Sequence, residues 1–287
     1  MNRSVIVRVI WWLWNQMFQY AFIKALALKK GVDFKLDITS FDYYFRPFEL
    51  ENFNIKKSYI KPFYSKRKLK WILKRICYYI FRVWMHFMWY YKEKKVEYEF
   101  LMDFKNKRYF EWYFISPKFF EWYRDIIIKD FSYIEISDEN KNFIQKNIKG
   151  RNTISVHIRR WDYLNSNNSF LGTLWATDYY DRAIKYMKKN FHNPIFLFFS
   201  DDIEWVKKHF KWNNWYIYIN LNNWKDSWQD MVLMSQCRHN IIANSTFSWW
   251  WAYLNENPDK IVICPKNYRN DNAFVNENIY PEWWLKF

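Results

Sequence analysis

From residue 152 to the C-terminus the sequence alternates short β-rich runs with helix-length stretches, and few folds accommodate that alternation. Strands are predicted at Thr153–Arg159, Ile195–Ser200, Tyr216–Asn220, Asn240–Ala243 and Lys260–Cys264. Helices are predicted between them at Thr177–Asn190, Asp202–Phe210, Asp226–Cys237 and Phe247–Asn255. Strands joined by helical crossovers run parallel, so this half reads as part of a doubly wound α/β sheet, whose ligands sit at the carboxyl ends of the strands. The N-terminal part shows the unit once, as strand Val5–Ile10, helix Met17–Lys29 and strand Asp33–Asp37, and is then irregular and aromatic through residue 135. The polar stretch Ser137–Arg151, with Gly150, reads as a connection and predicts domains at 1–150 and 151–287.

Hydrophobic residues make up 51% of the 287 and charged residues 26%, so the chain can bury a core and is not a disordered polyelectrolyte. Three cysteines without a CxxC pair argue against a disulfide framework or a zinc ribbon and fit a reducing compartment. The apolar run Val5–Trp14 is interrupted by Arg8 and leads into Asn15-Gln16, as a strand does and a signal peptide does not. No run of about 18 uncharged apolar residues predicts a membrane span. A net charge of +16 favours phosphorylated ligands, polyanions or an anionic membrane face. Residues 66–95 are apolar and aromatic between basic ends, with Arg75, Arg82 and His86 on one stripe. That segment reads as an inserted helix, either buried or lying in an anionic membrane surface, so a cytoplasmic protein with peripheral contact to the inner face is expected.

Four segments carry candidate chemistry, each at the end of a predicted strand. In Val156-His157-Ile158-Arg159-Arg160-Trp161-Asp162-Tyr163, strand alternation puts His157 and Arg159 on one face and sends Arg160 into the loop. Guanidinium groups there could hold a diphosphate leaving group. In Ser200-Asp201-Asp202-Ile203-Glu204-Trp205, one aspartate can cap the helix and the other can accept hydrogen bonds from a base; no further ligand completes a metal site. In Asn244-Ser245-Thr246-Phe247-Ser248, small hydroxyl residues open a helix, which makes an anion site without a glycine-rich loop. In Trp11-Trp12-Leu13-Trp14-Asn15-Gln16, two amides stand at a strand-to-helix turn, as caps or as groups facing a cleft.

Taken together and in order, WWLWNQMFQYA, HIRRWDY, SDDIEW and NIIANSTFSWWWAYL resemble the bacterial α-1,2-fucosyltransferases of glycosyltransferase family 11 over most of the chain. The resemblance implies a GT-B type α/β fold, with two Rossmann-like domains facing a cleft. It also implies inverting transfer of L-fucose from GDP-β-L-fucose, without a cofactor or metal, to an oligosaccharide or lipid-linked glycan, usually at O2 of a terminal β-galactose. Carried over residue by residue, it has Arg159 and Arg160 neutralise the diphosphate and His157 contact the nucleotide or the sugar. One of Asp201 and Asp202 would read guanine, and Ser245, Thr246 and Ser248 would bind phosphate. Asn15 and Gln16 would lie near the reacting hydroxyl, and Asp162 stands as the alternative for the unassigned base. Another linkage is the first alternative. A basic, aromatic nucleic-acid-binding protein is the second, and it leaves the strand-end motifs unexplained, so no nucleic acid partner is expected.

The departures from the family pattern concern two residue types. Glycine occurs 3 times where ~7% usage would give about 20, and tryptophan occurs 20 times. Trp11, Trp12, Trp14 and Trp161, with Trp112 and Trp251, stand where the family carries glycine, whereas Trp205, Trp249 and Trp250 agree with it. An indole where the chain needs φ > 0, or where backbone meets a diphosphate, costs strain and blocks the ligand. The economical reading is a gene whose UGA codons mean glycine, translated as though they meant tryptophan. On that reading the tryptophan-bearing chain is inactive.

Overall fold

A computed structural model of the chain describes residues 4–42, 47–60, 80, 90–92, 104, 106–164, 171–211, 214–222, 225–269 and 278–287. The chain divides into two compact units, Met1–Ser132 and Tyr133–Phe287.

The first unit opens with β1 (Val5–Arg8), α1 (Leu13–Lys30), β2 (Phe34–Asp37) and β3 (Tyr59–Ile60). It continues with β4 (Tyr90–Lys92), β5 (Tyr109–Glu111) and α2 (Arg124–Asp130). Its strands form one sheet in the order β3-β2-β1-β5-β4, with every pairing parallel. Helix α1 ends where Lys29 and Lys30 face the negative end of its dipole and Gly31 takes the left-handed conformation, φ 61°, its N–H returning to Ala27 O and Leu28 O. The inserted helix expected at 66–95 lies mostly outside the described residues. At its far end, Tyr90–Lys92 is a strand on β5 instead, because Tyr90 stacks on Tyr109 and pairs with it in register.

The second unit contains α3 (Asp138–Phe143), β6 (Thr153–Ile158), α4 (Tyr179–Asn190), β7 (Ile195–Ser200), α5 (Ile203–His209) and β8 (Tyr216–Tyr218). It closes with α6 (Ser227–Gln236), β9 (His239–Ile241), α7 (Thr246–Leu254), β10 (Val262–Cys264) and β11 (Leu285–Lys286). The sheet order is β11-β10-β9-β6-β7-β8, again parallel throughout. Counted within the unit this is the 3-2-1-4-5-6 order of dinucleotide-binding sheets, with its switch point between β6 and β9. Strand β6 is buried along its whole length, as a central parallel strand covered on both faces must be. Ile154, Val156, Ile158, Phe196 and Phe198 pack against Tyr179, Tyr180, Ala183 and Met187 of α4, each large side chain contributing about 2 kcal/mol by burial.

The expected connection Ser137–Arg151 is instead part of the second unit. Ser137 caps α3, its side chain accepting from Asn140 N. Asn140 is buried and bonds to Asn222 Oδ1 at 2.8 Å and Gln229 Oε1 at 3.1 Å. Polar residues form this packing face, so the segment has the composition of a linker and the contacts of a core helix.

Candidate functional site

The switch point of the second sheet lies between the strand ends that the first and third motifs occupy. Strand β6 ends with His157 and Ile158, and the chain leaves it through Arg159, Arg160 and the turn Trp161–Leu164. Leaving β9, it passes through Ile242, Ala243 and Asn244 into α7. The two ends are tied: Tyr163 donates to Asn244 O at 2.9 Å, and the His157 ring lies 5.0 Å from Phe247.

The second motif, after β7, is fastened to the first by charge. Asp201 Oδ1 accepts from the Arg160 N–H at 2.9 Å, and its Oδ2 faces Arg159 Nε at 3.2 Å. Asp202 is the aspartate that caps α5, accepting from Trp205 N at 3.2 Å, and it also receives Nη1 of Arg160. The Arg160 guanidinium lies 4.8 Å and 5.0 Å from the ring centres of Trp175 and Trp205, so it is stacked as well as paired. Arg160 is thus held through Nη1 and both ring faces while its Nε is buried without a hydrogen-bond partner among the described residues, and both aspartates are bound to arginine. Arg159 and Arg160 both keep nearly a fifth of their side-chain surface open.

His157 is 3% exposed. Burial, and then the charge of Arg159, push its imidazole down to about 3, so it is neutral across the physiological range. Among the described residues its Nδ1 and the Oδ1 of Asn244 are buried without hydrogen-bond partners, and each such atom costs about 1 to 3 kcal/mol unless a ligand or water meets it. Asn244 was not singled out from the sequence, where its amide cannot be told from that of a capping residue. In the structure its Nδ2 is spent on Leu171 O and Tyr268 O, which leaves Oδ1 as the atom without a partner.

Ser245 caps α7, accepting from Phe247 N, and Thr246 is buried against Tyr268. Ser248 is fully buried, its hydroxyl donating to Ala243 O and Ser245 O, so it closes the first turn and presents nothing to a phosphate. Asp162 lies in the turn after Arg160, and its side chain is outside what the structure describes.

In the first unit, Asn15 and Gln16 belong to the first turn of α1, which starts at Leu13 and not at Met17. Asn15 is half-buried and makes no side-chain hydrogen bond among the described residues. Gln16 is fully buried: Nε2 donates to Trp11 O and Pro47 O, and Oε1 accepts from Glu49 N. Its amide is therefore consumed in joining loops. Arg8, Asp37 and Glu111 form a buried set at the carboxyl ends of β1, β2 and β5, for which no sequence pattern is a signal. Arg8 meets Glu111 at 3.0 Å, Tyr90 donates to Glu111, and Tyr109 donates to Asp37. Among the described residues no group of three or more His, Cys, Asp or Glu could hold a metal ion, and no helix is long and apolar enough to cross a membrane.

The model of glycosyl transferase family 11 matches residues 2–286. The chain belongs to glycosyltransferase family 11. This family 11 enzyme is 34% identical to the Escherichia coli O-antigen biosynthesis glycosyltransferase WbnK, over 89% of the chain and 92% of the relative. It is 31% identical to an Escherichia coli alpha-1,2-colitosyltransferase, over 98% of each. Among solved structures it resembles the fucosyltransferase NodZ from Bradyrhizobium, with a TM-score of 0.55, 14% identity and coverage of 88% and 93%. At that identity the likeness establishes the GT-B type α/β fold.

Proposed function

We propose that this enzyme transfers L-fucose from GDP-β-L-fucose, with inversion, to a hydroxyl of a glycan acceptor, most simply O2 of a terminal β-galactose. The observation that carries the reading is the second unit's switch point. There, two arginines, a neutral buried imidazole and the N-terminus of α7 stand at adjoining strand ends with two unpartnered polar atoms. The alpha-1,2-colitosyltransferase relative supports the linkage, and a NodZ crystal soaked with GDP-fucose supports the sugar and the nucleotide.

In the proposed reaction the bond from the anomeric carbon to the diphosphate oxygen breaks, and the electron pair leaves with GDP. Arg159 and the positive N-terminal end of α7 meet the departing charge. Arg160, fixed by Asp202, sets the position of its neighbour. The acceptor hydroxyl attacks from the opposite face, and its proton goes to a carboxylate, for which Asp162 is the residue proposed. No metal is required, because fixed cations meet the diphosphate. Full activity in EDTA is the expected result, and loss restored by a divalent ion would refute this.

A second donor is favoured by the colitosyltransferase relative. The test offers GDP-fucose and the colitosyl donor in parallel to a terminal β-galactoside, using protein with glycine at positions 11, 12, 14, 112, 161 and 251. Product with an α-1,2-fucosyl linkage by NMR supports the reading. Transfer of the colitosyl group alone overturns the donor, and transfer of fucose to another position overturns the linkage. The net charge of +16 further suggests a lipid-linked acceptor at the inner membrane face. Co-flotation with anionic but not neutral vesicles tests it.

A further inference from the structure

The first sheet also has a switch point, between β1 and β5, and the two residues that leave those strands share an unusual backbone. Trp11, after β1, has φ 71°, and Trp112, directly after β5, has φ 132°. All three glycines of the chain, Gly31, Gly150 and Gly172, occupy positive φ, and among the described residues Phe114 and Asn193 join Trp11 and Trp112 there. A bulky side chain in that region costs strain that glycine does not.

Both carbonyls are gripped by amides from one face of α1. Gln16 Nε2 donates to Trp11 O at 2.8 Å, and Gln19 Nε2 donates to Trp112 O at 2.9 Å. Gln19 Oε1 also accepts from Ile10 N at 3.0 Å, so one fully buried side chain spans the ends of β1 and β5. The two glutamines are three residues apart, which puts both on the same helix face. Neither is free to bind a ligand, and together they fix the loop that leads into Asn15.

We infer that Gln16 and Gln19 are a pair of positioning residues that hold the loops after β1 and β5 in left-handed turns built for glycine at positions 11 and 112. Gln19, which bridges the two strand ends, sets the geometry of the first unit's switch point. The expected effect on turnover rests on the proposed glycosyl transfer, whereas the effect on folding does not.

The experiment has two readouts on the full chain. Trp11→Gly and Trp112→Gly each raise Tm by about 2 to 6 °C. The gain from Trp112→Gly falls by at least about half in Gln19→Leu, because without the clamp the loop relaxes around the indole. An undiminished gain overturns the clamp, whatever the enzyme transfers. Gln19→Glu covers the case in which the leucine variant does not fold. Protonated, its carboxyl accepts from Ile10 N and donates to the carbonyl of residue 112; ionised, it cannot donate. In a parent with glycine at positions 11, 12, 14, 112, 161 and 251, kcat of Gln19→Glu therefore falls at least about tenfold from pH 5 to pH 8 relative to that parent, with KM for GDP-fucose within about twofold. A profile parallel to the parent's overturns the positioning role. Absence of any fucose transfer by the parent, with the Tm coupling intact, overturns the donor reading and leaves the clamp standing.

Discussion

The guanidinium of Arg160 closes on the carboxylate that caps α5, Asp202, and the same contact fastens the loop after β6 to the loop after β7. Arg159, one residue earlier, meets Asp201 through Nε. The pair of arginines thus divides into one held by a carboxylate and two indole faces and one held by a carboxylate. Arg160→Ala leaves the Asp202 charge partly buried and uncompensated, an expected loss of about 2 kcal/mol or roughly 4 to 8 °C in Tm, with activity falling in parallel. Arg159→Lys keeps a cation for Asp201 and a Tm within about 2 °C, but loses the planar fork and about a hundredfold or more in kcat/KM for GDP-fucose. Calorimetry and initial rates on both variants check the division. Equal loss of Tm in both would sink it.

The pH dependence of folding has a contribution on the acid side. His157 is held down to about 3 and His239 to about 4, in each case first by burial and then by a neighbouring arginine. Unfolded histidines titrate near ~6.5, so the unfolded chain binds protons that the folded chain refuses. This contribution is present above that value and is lost as pH falls through it toward 3. His157→Gln is expected to flatten the fall in Tm between pH 7 and pH 4.5. The same variant keeps the acid limb of the rate profile, since a neutral His157 cannot be the titrating base. An acid limb that disappears in His157→Gln assigns the base to His157 and refutes the prediction.

Asp230 contributes with the opposite sign. Burial raises its carboxyl to about 7, against a hydrogen bond from Asn222 Nδ2 at 2.7 Å that lowers it. The folded chain holds a proton that the unfolded one releases near ~4. Stability from this group is therefore complete below that value and lost as pH rises through about 7. Asp230→Asn keeps an oxygen for Asn222 and removes the titration. It is expected to raise Tm at pH 8 by several degrees and to leave it unchanged at pH 5. An equal shift at both values counts against this assignment.

Most of the second sheet was legible because Ile195–Ser200 and its neighbours are short apolar runs between turn residues, the form a doubly covered parallel strand takes. Strands β4 and β5 were not legible. Tyr-Tyr-Lys and Tyr-Phe-Glu show no alternation, and Glu111 is buried only because Arg8 and Tyr90, both distant in sequence, satisfy it. The helix after Ser137 has the sequence of a connection because asparagine and glutamine make its buried contacts. At the site, residue types and strand-end positions could be read, but hydrogen bonds could not. Nothing in the sequence says that Gln16 and Ser248 are consumed by backbone while Asn244 keeps an oxygen unpartnered.

The six tryptophans at family glycine positions do not behave alike. Trp11 and Trp112 sit at positive φ, whereas Trp12 has φ −69°, Trp14 lies within α1, Trp251 is buried in α7, and Trp161 is 68% exposed in its turn. Backbone geometry alone therefore demands glycine at two sites, while the remaining four bear on ligand access. Trp161 follows Arg160 at the mouth of the proposed donor site, where an indole takes room that a diphosphate needs. If UGA means glycine in the source organism, all six codons are UGA and those of Trp205, Trp249 and Trp250 are UGG. Mass spectrometry of the protein made by that organism would then find the peptides covering residues 11, 112 and 161 lighter by the indolylmethyl-to-hydrogen difference at each site. A UGG codon at Trp11, Trp12, Trp14 or Trp161, or an intact indole in those native peptides, would end the recoding explanation. It would leave a chain that folds with two tryptophans in strained turns, and restoring glycine would then be an engineering change and not a repair.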